Sequence, residues 1–235
     1  MADTTTDGRP VAAGFERPSR LVDFWRYYRE NRGAVIGLGF MIGIVLIAVF
    51  APLVAPHAPN EQFRTTLLAP PFWETGGTLT FPLGTDAVGR DILSRLIYGA
   101  RYSLFIGVVV VSIALVGGIV LGLVAGFVRG FVDTLIMRVM DVILAFPSLL
   151  LALVLVALLG PGLFNAMIAI AITLQPHYVR LTRAAVMSER GRDYVIAARV
   201  IGAGPLRLMF LTILPNCMAP LIVQATLSFS NAILD

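Results

Sequence analysis

Apolar positions in this chain gather into four long uncharged runs, separated by stretches that carry nearly all of its charge. The run Ala34 to Ala55 is about 33 Å long as a helix, enough to cross a hydrocarbon core of about 30 Å. A secretory signal would have an apolar core of roughly 7–15 residues, so this run reads as an uncleaved first span. The second run lies between Arg101 and Arg129. Within it Gly118, Gly122 and Gly126 repeat every four residues. That is a small-residue face on which another helix can pack closely, although glycine is also simply tolerated in membrane helices. The third run, Val142 to Val179, would reach about 57 Å as one helix, too long for a single crossing. Gly160-Pro161-Gly162 supplies a fold-back, so two helices are expected, the first beginning within Asp133–Asp141. The last run, Leu208 to Leu234, predicts a fifth span starting near Pro215.

The expected fold class is therefore all-α: a polytopic membrane protein with five transmembrane helices. Five spans leave the two ends on opposite faces, and a sixth helix is expected beyond the chain end. Residues 1–32 form an amphipathic N-terminal tail, 33–55 the first transmembrane helix and 56–101 an external loop. Residues 102–235 form a transmembrane core with a cytoplasmic connection at 180–215.

Composition supports the membrane assignment. Of 235 residues 57% are hydrophobic and 14% charged, against roughly 25% charged in a soluble domain, and the mean hydropathy is +0.85. All 18 basic residues are arginine. Without lysine the chain can hold neither a Walker A phosphate loop nor a Schiff base, so any ATP must be bound by another subunit. Cys217 is the only cysteine, which excludes an intrachain disulfide and reads as a small packing residue. His57 and His177 lie far apart in sequence; no catalytic, cofactor-binding or metal-ligating residue is assigned.

The arginines set the expected orientation. Six precede the first span (Arg9, Arg17, Arg20, Arg26, Arg29 and Arg32), Arg129 and Arg138 follow the second, and six more lie between Arg180 and Arg207. The other face has only Arg64, Arg90, Arg95 and Arg101. The positive-inside rule then makes the N-terminus and the 180–215 connection cytoplasmic. The net charge of +4 is accounted for by topology and does not call for nucleic acid. The segment Leu21–Glu30 is amphiphilic and is expected to lie along the membrane surface, with Trp25, Tyr27 and Tyr28 at headgroup depth.

Asp193 to Pro220 is too long for a simple connection between spans. Arg192 to Ile201 can form a short helix, Gly202, Gly204 and Pro205 break it, and Pro215 can begin the next span. It reads as a helical hairpin offered to a partner, or as a plain interfacial loop. Ala197-Ala198-x-x-x-Gly202, followed by Leu214-Pro215, resembles the EAA loop of ABC-importer permease subunits. Ile196 stands at the usual acidic position and Thr212 at the usual isoleucine, so no salt bridge is expected at 196. Phe81–Leu104, Asp133–Leu151, Gly160-Pro161-Gly162, Tyr178-Val179-Arg180 and Asp193-Tyr194-Val195 are also similar to the C-type permeases of the dipeptide, oligopeptide and nickel importers.

The resemblance implies a MetI-like permease fold in a bacterial cell membrane. It implies a pathway for di- or oligopeptides formed with a homologous permease subunit. Two ATPase subunits would hold ATP and magnesium, and an extracytoplasmic binding protein would deliver substrate. The ATPase-coupling residues would be Asp193, Tyr194, Ala197, Ala198, Gly202, Ala203, Pro205, Leu214 and Pro215. Nickel or another small solute is the alternative cargo. A self-sufficient secondary transporter is the competing class, disfavoured because no apolar run carries a central Asp, Glu or Arg.

Three further groups have bland and sharp readings. Arg138 and Asp141 have the i, i+3 spacing of a helical ion pair near Asp133. Asp86, Arg90, Asp91 and Arg95 either cap the second span or dock the binding protein, with turn-and-cap chemistry preferred. Pro147 should kink the third span.

Overall fold

The computed structural model describes residues 20–234, with side chains from 25 to 233. Most of the expected tail, including Arg9 and Arg17, lies outside the described residues. Among the described residues the chain is helical, with no strand beyond an isolated bridge between Thr85 and Asp91. The first helix, α1 (Arg20–Glu30), stacks Trp25 on Tyr28. It turns at Asn31, whose side chain accepts the Ala34 N–H at 3.2 Å and so caps α2 (Arg32–Val49). A single turn, α3 (Ala51–Val54), leads into a non-helical lobe over residues 55–91.

Asp91 then starts α4 (Ile92–Val128), a helix of 37 residues. At about 1.5 Å per residue it is some 55 Å long, and its first turns lie inside the segment expected to be loop. Arg129, with φ of 64°, turns the chain into α5 (Gly130–Leu144). The expected kink at Pro147 is a full break: α5 and α6 (Ser148–Leu159) meet at 100°. Gly160 and Gly162 both take positive φ, of 91° and 156°, which L side chains disfavour, and they fold the chain back into α7 (Leu163–Arg190).

Three helices are long and apolar enough to cross a membrane: α2, α4 and the stretch Pro205–Ile233. The bent α5–α6 pair counts as a fourth. The remaining expected span, α7, is long enough at 28 residues, but Asn165, Gln175 and His177 make it less apolar. Its position explains this. It lies inside the bundle against α4, α5, α6 and the final helix, so protein covers much of it where lipid would otherwise lie.

The glycine row is the reason α7 fits there. A Cβ on Gly118 would lie 2.2 Å from the Tyr178 Cβ, one on Gly122 2.5 Å from the Thr182 Cβ, and one on Gly126 2.9 Å from the Val186 Cβ. The four-residue repeat on α4 thus meets a four-residue repeat on α7, and the two helices run parallel. This close packing lies within the chain. Around it Val110, Ala114, Met167 and Tyr178 form one buried core, with Phe229 packed against it.

Two ion pairs tie α5 to α7. Asp133 accepts two hydrogen bonds from Arg183, the Nη2 bond being 2.7 Å, and Asp141 accepts one from Arg180 at 2.6 Å. The expected pairing of Arg138 with Asp141 does not form. Arg138 is exposed, and the partner that satisfies Asp141 lies 39 residues away.

Candidate functional site: the 190–215 hairpin

Helix α7 does not stop at the first arginine of its polar end but continues to Arg190. Gly191 and Arg192 turn the chain, and the Arg192 carbonyl accepts the N–H groups of Val195 and Ile196 at the start of α8 (Asp193–Val200). Tyr194 donates its hydroxyl hydrogen to Glu189, which also receives Arg192 at 3.6 Å. Burial, then the Glu189 hydrogen bond and charge, push the Tyr194 phenol up to about 12.

The end of α8 shows why the Ala-x-x-x-Gly spacing matters. The Ala203 N–H bonds to the Ala198 carbonyl and the Gly202 N–H to the Arg199 carbonyl, each at 3.0 Å. These are the two bonds of a Schellman cap, with Gly202 in the left-handed region at φ of 87°. Ala198 and Ala203 both pack on the same core, which supplies the apolar contact that accompanies such a cap. A Cβ at Gly202 or Gly204 would meet nothing within 4 Å. Space is therefore free at Gly202, and what requires glycine there is the backbone angle.

Pro205 begins the return as the first residue of α9 (Pro205–Arg207), where no N–H is needed. A π-helical turn, Leu208–Ile213, joins it to α10 (Leu214–Leu234). Pro215 has no N–H to give the carbonyl of Leu211, and at this point the ladder widens so that the Leu214 N–H reaches Met209. The last membrane helix therefore starts at Pro205, ten residues before the expected start near Pro215. Leu214 and Pro215 lie on that returning helix, away from α8 and the turn after it, which carry Asp193, Tyr194, Ala197, Ala198, Gly202, Ala203 and Pro205.

The base of the hairpin is a buried cluster that the sequence motifs did not single out. Val195, Leu208, Met209, Ile213 and Cys217 pack with Leu123 of α4 and Val186 of α7. Cys217 is buried here as a small packing residue. Arg190 lies with its guanidinium carbon 5.7 Å from the centre of the Phe127 ring. The hairpin is thus fixed to the ends of three long helices, and force applied to it acts on all of them. Its tip is the opposite: Val200, Ile201 and Leu206 are 80%, 85% and 71% exposed. Adjacent apolar residues beside a glycine break were the available signal for this tip.

The polar cluster before α4 is used internally. Asp91 accepts the N–H groups of Leu93 and Ser94 and the Ser94 hydroxyl at 2.6 Å, and it faces His57 Nδ1 at 3.3 Å. Both the ring and the hydroxyl address this one carboxylate, which joins the lobe to the first turn of α4. Asp86 accepts the N–H groups of Val88 and Arg90 and the side chains of Arg90 and Arg95. The Arg90 N–H in particular holds its carboxyl well below the usual carboxylate range. These bonds support the cap-and-turn reading of the four residues.

Residues 118–235 match the family model described as binding-protein-dependent transport system inner membrane component. Residues 19–71 match the N-terminal TM domain of oligopeptide transport permease C. The chain is 63% identical to the di/tripeptide transport system permease protein DppC of Pseudomonas aeruginosa over 218 residues, 93% of this chain and 72% of that protein. It is 60% identical to the dipeptide transport system permease protein DppC of Escherichia coli over 215 residues, covering 92% and 72%. A peptide transport system permease protein, SapC, of Escherichia coli is 38% identical over 218 residues, covering 93% and 74%.

Proposed function

The chain belongs to the binding-protein-dependent transport system inner membrane components, and from that membership we propose that it forms, with a homologous permease, a dipeptide pathway. It is a multi-pass membrane protein and a permease subunit of an ATP-binding-cassette importer, working in a complex with other subunits. The names of its relatives support dipeptides as the cargo.

In this reading two ATPase subunits hold ATP and magnesium and hydrolyse the nucleotide, and an extracytoplasmic binding protein brings the peptide. The N-terminus and the 190–215 hairpin face the cytoplasm, and the 55–91 lobe faces out, in a bacterial inner membrane. The hairpin seats in a groove of one ATPase. The observation carrying this reading is the union of an exposed tip with a base buried among α4, α7 and α10. Closure of the ATPase dimer then moves the hairpin and these helices nearly as one body.

Proteoliposomes carrying every subunit test the reading. Uptake of a labelled dipeptide, with the binding protein outside the vesicles, should require ATP inside the lumen and stop when either ATPase is omitted. Uptake by this chain alone on an ion gradient would instead support a secondary transporter.

A further inference from the structure

The tip of the hairpin has a specific chemistry. Space is open around Gly202 and Gly204, where side chains would stand. Val200, Ile201 and Leu206 form its apolar surface, and Arg199 and Arg207 flank them, both exposed. Among the described residues neither arginine has an acid within ion-pair distance. The acids nearby do not change this balance. Glu189 is occupied by Tyr194 and Arg192, which leaves Asp193, at the opposite end of α8, as the one uncommitted carboxylate of the hairpin. Ile196, half exposed, adds apolar surface where a side chain of opposite charge would have balanced the arginines.

We infer that this tip docks into a protein groove with an apolar floor and carboxylates on its rim, placed to receive Arg199 and Arg207. The inference rests on the ATPase-docking reading of the hairpin and specifies the chemistry of the receiving groove. Guanidinium groups suit this role because each can hold a carboxylate by two parallel hydrogen bonds. A membrane surface with anionic headgroups would also attract arginines beside apolar side chains. The length of α7 favours a protein. From Arg180, the first charge after its apolar stretch, to Arg190 the helix advances about 15 Å, so the hairpin starts well past the first charge of α7, where a partner protein can reach it.

The test uses the assembled transporter in nanodiscs, with two kinds of variant. Val200→Cys, cross-linked through the introduced thiol, reports whether the tip lies against an ATPase. Arg199→Glu/Arg207→Glu and the neutral Arg199→Gln/Arg207→Gln report on the rim. The expected result is a Val200→Cys cross-link to an ATPase. ATPase retention should be about tenfold weaker with the glutamates, less weakened with the glutamines, and weaker in the parent at high salt, because rim charges are screened. A cross-link with retention insensitive to charge and salt overturns the acidic rim and leaves the docking reading standing. No cross-link to either ATPase overturns both. If the glutamate variant loses only binding to phosphatidylglycerol vesicles and keeps its ATPase, the arginines serve the lipid surface and the inference fails.

Discussion

Gly118 lies so close to Tyr178 that a methyl group on the glycine would stand 2.2 Å from the tyrosine Cβ. The obstructing atoms include the Tyr178 backbone, so rotating a side chain cannot relieve the contact. Gly118→Ala should destabilise the protein by about 1–3 kcal/mol or more, as overpacked cores do. Gly99, also in α4, has nothing within 4 Å of an added Cβ. Gly99→Ala should be neutral or stabilising by up to about 1 kcal/mol. Thermal unfolding of the two variants in detergent checks the contrast.

Gly202→Ala should cost about 1–2 kcal/mol, the penalty of placing an L side chain in the left-handed region. The loss should be local to the hairpin, because the added carbon meets no neighbour. Hydrogen exchange at the Ala203 amide, which donates to the Ala198 carbonyl, should speed up while the α4 and α7 amides do not. Gly204, with φ of −67°, should tolerate alanine. Gly202→Asp should likewise insert normally in the membrane but weaken ATPase retention, through loss of the turn.

The two ion pairs between α5 and α7 should differ in weight. Asp133 and Arg183 have side chains only 14% and 30% exposed and share two hydrogen bonds, while Asp141 and Arg180 are each 48% exposed. Asp133→Ala should cost about 2–3 kcal/mol, since it strands a half-buried guanidinium. Asp141→Ala should cost under about 1 kcal/mol. Melting temperatures of the single variants rank them.

The Tyr194 phenol, raised from its ordinary 10.0 to about 12, makes hairpin stability sensitive to alkali. Below pH 10 the phenol is neutral in both folded and unfolded states, and the contribution is fully present. Between pH 10 and 12 the unfolded chain ionises first, so stability falls as pH rises. Tyr194→Phe should abolish that fall and remove one late-titrating phenol from the absorbance at 295 nm. An unchanged late titration would place the shifted tyrosine elsewhere.

The sequence made the spans legible because lipid demands uncharged length, and the fold-back at Gly160 because glycine and proline mark turns. It misled where helices continue past their uncharged runs. Arg180 and Arg183 read as the end of a span, yet they lie within α7 and hold α5 across gaps of 39 and 50 residues. Local spacing instead suggested Arg138 for Asp141, since separation along the chain is all that a single sequence displays. The same limit hid the partner of the glycine row, whereas its capacity for close packing was plain. At Gly202 the residue type was right for a helix stop, but whether angle or space required it needed the fold.

The parallel run of α4 and α7 has an electrostatic consequence. Peptide dipoles in neighbouring antiparallel helices largely cancel, but in these two they add. Each helix brings about half a negative charge to its C-terminal end, and both ends lie beside the hairpin. Arg129 follows one and Arg190 closes the other. These arginines therefore stand where they offset the combined helix ends, so removing them would unsettle the packing of the finished fold.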